Sequence, residues 1–198
     1  MHATLTRRSL IASAIAACAT RGQTAPRPYT LMAERSTVNF GFTLSGAAQA
    51  GTLPLRSADI RVDPNNLAAS RADVTADVRQ ARTGLVFVTQ ALLSESVLDA
   101  QRHPIVSFKT NAIRLGERGR ISEGARIDGL LTLRGVTQPI SMDAQLSRPA
   151  GSSPDDLSIL YVTLNGVLDR NAFGASGFPD LVDDTVTLDI RAEIRATD

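Results

Sequence analysis

The sequence contains no tryptophan and one cysteine, Cys18, close to its start. Beyond that residue the chain has no disulfide, no thiolate nucleophile and no cysteine-based metal site, so packing must hold the body together. Histidine is almost as scarce, with His2 and His103 only. A lone imidazole beside Pro104 reads as a turn residue, since a catalytic or ligand histidine needs partners. Zinc is the least expected metal. No G-x-S-x-G elbow occurs, and Gly174-Ala175-Ser176-Gly177 resembles one only superficially. The adjacent pairs Asp155-Asp156 and Asp183-Asp184 read as turn and solvent-face residues, because neighbouring strand side chains point to opposite faces. Basic and acidic residues nearly balance, 21 against 20, with no long run of either sign. That balance leaves no electrostatic footprint for nucleic acid. The reading is therefore a non-enzyme with neither a catalytic site nor a metal.

What the chain does have begins with a leader. Thr6-Arg7-Arg8 precedes an apolar run from Leu10 to Ala17 that is too short to span a bilayer. Residues 1–22 read as an export leader of loosely twin-arginine type. Ile15-Ala16-Ala17-Cys18 looks like a lipobox, which would make Cys18 a lipidated anchor to the membrane; Ala17-Cys18-Ala19 reads equally as an ordinary cleavage site. Either way the expected compartment is the periplasm. Residues 23–28 read as a linker and 29–198 as one domain, large enough for its own core.

Within that domain apolar residues recur with period two. Val38, Phe40, Phe42 and Leu44 alternate with polar or small residues, as do Val74, Ala76 and Val78. Leu53 to Val62, Ile105 to Leu115 and Val186 to Ile194 are further strands, and Ile159 to Leu168 alternates weakly. Only Leu85 to Asp99, with Leu85, Val88 and Leu92, has helical spacing. From Gly129 to Met142 two strands meet at Arg134-Gly135, a junction suited to positive φ, and Pro139 is expected to open the second strand at its edge. The fold class is all-β: an antiparallel barrel of about eight strands with a short helical insertion. Closure removes the exposed edges of so long a sheet. Alternation alone leaves open whether the interior is a ligand cavity, a filled core or a two-sheet sandwich.

The segments Leu131-Thr132-Leu133-Arg134-Gly135, Thr37-Val38-Asn39-Phe40 and Asp169-Arg170-Asn171-Ala172-Phe173-Gly174 together resemble the YceI-like family of periplasmic, lipocalin-like, polyisoprenoid-binding proteins. The hairpin Leu131-Thr132-Leu133-Arg134-Gly135-Val136-Thr137-Gln138-Pro139-Ile140 is the nearest match. Thr37-Val38-Asn39-Phe40 is similar to the opening strand, and Val97-Leu98-Asp99-Ala100-Gln101-Arg102-His103-Pro104 to the helix exit. Asp169-Arg170-Asn171-Ala172-Phe173-Gly174 resembles the closing turn. The family often has tryptophan in its first strand, where this chain has Tyr29. At the helix an Arg-Asp-x-His-Leu run is replaced by Val88-Thr89-Gln90-Ala91-Leu92, and the histidine-bearing strand end reads Leu44-Ser45. These departures point to a less polar end-group, or to one left in solvent.

The resemblance implies a lipocalin-like barrel whose apolar tunnel holds a polyisoprenoid or isoprenoid quinone, for transport or storage, as a bound ligand and with no cofactor. Phe40, Phe42, Leu53, Val78, Leu85, Val88, Leu92, Phe108, Leu131 and Leu133 are the expected apolar wall. Arg170 and Phe173 are also expected among the ligand-binding residues, Arg170 as a barrel-closing contact or a gate to the tunnel, with a structural salt bridge or turn cap as its plainer role. The alternatives are an envelope interaction module with a filled barrel and, less favoured, an enzyme acting on a small lipid. Pairing of an exposed barrel face into a homodimer stays open.

Overall fold

The structure, a computed structural model, describes residues 26–116 and 124–197. The leader with Cys18, and all but the first residue of the turn expected at Gly116 to Gly119, lie outside the described residues.

The elements follow in the order β1 (Arg27–Leu31), β2 (Thr37–Leu44), β3 (Ala47–Leu53), β4 (Leu55–Val62), β5 (Arg71–Asp77), β6 (Arg82–Thr83) and α1 (Val86–Leu93). After the helix come β7 (Ile105–Leu115), β8 (Ala125–Leu133), β9 (Val136–Ser147), β10 (Ile159–Asp169) and β11 (Thr185–Ala196). Eight of the strands form a closed antiparallel ring, β1-β4-β5-β7-β8-β9-β10-β11, sealed where Tyr29 pairs with Ala196 and Leu31 with Ile194. The fold is the expected lipocalin-like barrel and not a sandwich. Closure leaves the ring itself without a free edge.

Three further strands, β2, β3 and β6, continue the sheet beyond the ring. Chain direction turns at the 3-10 segment Ala33–Arg35, between β1 and β2, where Ser36 Oγ donates to Met32 O at 2.8 Å and accepts from the Glu193 N–H at 3.2 Å. β11 consequently pairs with β2 along Thr187 to Arg191 and with β1 further on. Pro54, which has no N–H to donate, divides the single strand expected over Leu53 to Val62 into β3 and β4. After β5 the Asp77 carboxylate accepts the Arg79 N–H at 3.1 Å, which turns the chain at Val78–Gln80 before β6. Val78 is thus removed from the strand predicted for it. α1 stands between β6 and β7 and occupies one end of the barrel, called here the helix end.

The central hairpin forms as predicted, with Arg134 at φ 52° and Gly135 at φ 76°. The imidazole of His103 packs over Gly135: a Cβ there would lie 2.8 Å from His103 Cε1. Pro139 does not open β9; it is the fourth residue of the strand, opposite Leu130. It is tolerated because β10 pairs with β9 only from Met142 to Ser147, so the β9 flank at Pro139 has no neighbouring strand. The predicted helix is shorter than its period suggested, ending at Leu93, where Ser94 Oγ turns back to Ala91 O. β1 also begins at Arg27, two residues inside the expected linker, paired with Val62 of β4.

At the far end Tyr29, Val62, Leu160 and Ile194 form a packed cluster. The Tyr29 hydroxyl donates to Leu157 O at 2.7 Å, and burial pushes its pKa up. A second cluster, Leu131, Ile140, Met142 and Phe173, lies towards the helix end. Between them the barrel is not filled.

Candidate functional site

Period-two alternation turns one set of side chains into the barrel. Val38, Phe40, Phe42 and Leu44 come from β2, Val106 and Phe108 from β7, Leu131 and Leu133 from β8, and Val186 to Ile194 at alternate positions from β11. A bulge between Thr110 and Ala112 changes the phase of β7, which brings Ile113 inward after Thr110. These walls enclose a cavity of about 510 Å³, to which polar atoms contribute almost nothing. That volume lies within the range of small-molecule sites. Such a lining offers ordered water almost no hydrogen-bond partners and suits an apolar guest.

Three glycines set the shape of the wall. A Cβ on Gly51 would lie 2.6 Å from Phe40 Cε2, one on Gly129 2.5 Å from Phe108 Cε2, and one on Gly166 2.8 Å from Met142 Cγ. Each large side chain therefore lies flat over a glycine of the adjacent strand instead of projecting into the lumen. Gly166 also explains the weak alternation of β10, where an inward glycine is followed by an outward Val167. Phe40 and Phe42 stack with centroids 6.2 Å apart.

Of the residues expected at the wall, Phe40, Phe42, Leu53, Val88, Leu92, Phe108, Leu131 and Leu133 line the cavity, and so does Arg170. Val78, Leu85 and Phe173 do not. Val78 is buried in the turn after β5, its N–H donating to Pro104 O at 2.8 Å. Leu85 is the residue before α1, extended in backbone and half exposed, because the helix starts one residue later than the period indicated. Phe173 is buried in the Leu131, Ile140 and Met142 cluster, off the cavity surface.

Arg170 is 4% exposed. Its Nε donates to Asp183 O at 3.0 Å, Nη1 to Ala175 O and Gly177 O, and Nη2 to Val182 O at 2.8 Å, with Asp184 at 3.8 Å. The guanidinium places four of its five N–H groups on loop carbonyls, with its charge facing Asp184, and so folds the loop between β10 and β11 onto the barrel end. Arg134 braces the same end, donating to Gly174 O and to Glu95 O at 2.7 Å.

Pattern reading missed Phe87, Phe178 and Leu181, which line the cavity at the helix end. A signal existed: Leu85-Val86-Phe87-Val88 is apolar on more sides than one helix face can bury. The carboxylates with depressed pKa lie elsewhere. Hydrogen bonding from Arg79 holds Asp77 down to about 2, and Arg195 with Arg35 holds Glu193 below the usual range. Asp156 is lowered as well, by its hydrogen bond with Ser158, and none of the three lines the cavity, so among the described residues no tuned acid or base faces a guest. Among the described residues no cluster of histidine, cysteine or carboxylate could hold a metal ion, and no helix is long and apolar enough to cross a membrane.

A model of the YceI-like domain matches residues 29–194. The chain belongs to the YceI-like family. No curated protein matches the sequence. Among solved structures, Burkholderia cenocepacia BcnA is similar at 17% identity and a TM-score of 0.71, over 82% of this chain and 98% of its own. A polyisoprenoid binding domain from Saccharophagus degradans, implicated in plant cell wall breakdown, is 12% identical with a TM-score of 0.60, over 86% and 99%. The YCEI protein of Campylobacter jejuni is 22% identical with a TM-score of 0.58, over 72% and 81%. At these identities the YceI-like barrel is what the three share with this chain.

Proposed function

We propose that this YceI-like protein binds a polyisoprenoid or isoprenoid-quinone lipid in its barrel and carries or stores it in the periplasm. The observation that carries the reading is the cavity: about 510 Å³ of apolar volume inside a closed barrel. Burial is worth about 0.8 kcal/mol per methylene, or roughly 4 kcal/mol per five-carbon isoprene unit, so a long tail is held without polar recognition. The Saccharophagus degradans neighbour, described as a polyisoprenoid binding domain, supports the ligand class. Among the described residues no histidine, cysteine or carboxylate lines the lumen, which favours binding over catalysis. The unfilled lumen disfavours a purely structural barrel. Lipidation at Cys18 would tether the carrier to a membrane, and a Cys18→Ser variant is then released into the soluble fraction.

Organic extraction of protein purified from its native host without detergent, read by mass spectrometry beside the native mass of the intact protein, tests the reading. A stoichiometric isoprenoid is expected. A clean apo mass that takes up no added polyprenol on titration would overturn it.

A further inference from the structure

The helix end carries apolar surface that the lumen alone does not require. Leu85, Val86 and Phe87 at the start of α1 are exposed, Val86 to 77% and Phe87 to 64%, and Phe178 and Leu181 on the β10–β11 loop are also exposed. Phe87, Phe178 and Leu181 belong to the cavity wall at the same time, so apolar surface runs unbroken from lumen to solvent. The described loops at the far end expose no large apolar side chain.

The rim is braced. Gly177 N–H donates to Ser96 O at 2.9 Å and Ser45 N–H to Leu181 O at 2.7 Å, tying the β10–β11 loop to the helix exit on one side and the β2–β3 turn on the other. Phe178 sits at φ 59°, a left-handed conformation that a bulky residue rarely adopts and that the surrounding structure must impose. The fold thus spends backbone strain on holding an aromatic ring at the opening.

We propose that this rim is a membrane-docking face, through which an apolar guest passes between bilayer and cavity without crossing water. The inference rests on the lipid-binding reading. A guest held by apolar burial alone has no soluble route to the cavity, and a bilayer is the surface that offers it in bulk. A second copy seated on the rim would seal the opening instead. The charges near the rim balance: Arg79 pairs with Asp77, Arg102 with Glu95 and Asp99, and Arg170 with Asp184, while Arg82 and Arg134, which donate to backbone carbonyls, are matched by the exposed Asp180 and Asp183 of the β10–β11 loop. Docking is accordingly apolar, without preference for anionic lipid and with little dependence on salt.

The test uses a Leu85→Asp/Val86→Asp variant, with both it and the protein of wild-type rim carrying Cys18→Ser so that no lipid anchor contributes to flotation. Neither residue lines the cavity. Aspartate is a favoured helix N-cap, and a carboxylate in the first turn suits the helix dipole, so the fold is retained. Flotation with phosphatidylcholine vesicles, with and without one-third phosphatidylglycerol, measures docking. Transfer of a fluorescent polyprenol out of those vesicles, beside its uptake from dilute ethanol, measures loading by the two routes. The protein of wild-type rim is expected to float with both vesicle types, and the variant to lose flotation and at least fivefold in vesicle transfer while its uptake from ethanol is unchanged. Vesicle transfer and flotation equal to wild type would overturn the docking face and leave the carrier standing. Flotation that depends on Leu85 and Val86 without polyprenol uptake by either route would keep the docking face and overturn the carrier. A wild-type dimer that the variant converts to monomer, with transfer unchanged, would assign the rim to a second copy and overturn the proposal.

Discussion

The ring of Phe108 lies across Gly129 of the neighbouring strand, so close that a Cβ on the glycine would come within 2.5 Å of Phe108 Cε2 and of Lys109 O. The glycine is what keeps the ring against the wall. Gly129→Val should push the ring into the lumen and shorten the longest guest accepted, at about 1–3 kcal/mol in stability from overpacking. Native mass spectrometry with a series of polyprenols of increasing length reads the first effect and denaturant unfolding the second. Equal uptake across the series would show that the ring does not set lumen width.

Phe42 and Leu133 line the cavity from β2 and β8. Phe42→Asp or Leu133→Asp places a carboxylate where a guest must be apolar, and desolvation of the charge opposes loading. Lipid co-purification is expected to disappear in either variant while circular dichroism stays that of a folded barrel. Full loading in a folded variant would remove that residue from the binding surface.

Arg170 joins four carbonyls of the β10–β11 loop. Arg170→Met should cost about 2–4 kcal/mol through lost charge-assisted hydrogen bonds and stranded acceptors. Arg170→Lys should recover little, since an ammonium cannot reproduce the planar fork. Hydrogen exchange localises the effect: amides of Gly174 to Asp184 should lose protection first. Uniform loss over the whole barrel would mean that the loop is not a separate unit held by this side chain.

Acid stability carries the signature of Asp77. Its folded pKa, held to about 2 by Arg79, lies below the ordinary value of about 4 for an unfolded chain, so the stabilisation is full above the unfolded value. It is lost as pH falls through the folded value. Stability from this group should therefore be flat between pH 5 and 8 and decline from pH ~4 to pH ~2. Asp77→Asn is expected to flatten part of that acid limb, leaving the contribution of Glu193, which is depressed in the same direction by Arg195 and Arg35. An acid limb identical to wild type would assign the decline to other carboxylates.

Much of the barrel was legible along the chain because its information is local. Alternation in Val38 to Leu44 and in Leu131 to Met142 decides which side chains face inward, and Arg134-Gly135 decides where the hairpin turns, since only certain backbones take positive φ. The resemblance spanning the hairpin, helix exit and closing turn pointed to the family. Boundaries were harder wherever a tertiary partner intervened: Asp77 turns the chain before Val78 can continue its strand, and Pro139 is accepted within β9 because β10 stops short of it.

The sequence by itself determined the alternation, the hairpin and the apolar character of the inward face, because these follow from nearest neighbours in the chain. Only the tertiary structure decided that the interior is a cavity, that Arg170 serves a loop, and that Phe87, Phe178 and Leu181 meet at one opening. Each of these depends on residues far apart in sequence. Whether a lumen is open is fixed by which residue faces which across adjacent strands, as when a glycine receives Phe40, Phe108 or Met142. No period along a single strand carries that register.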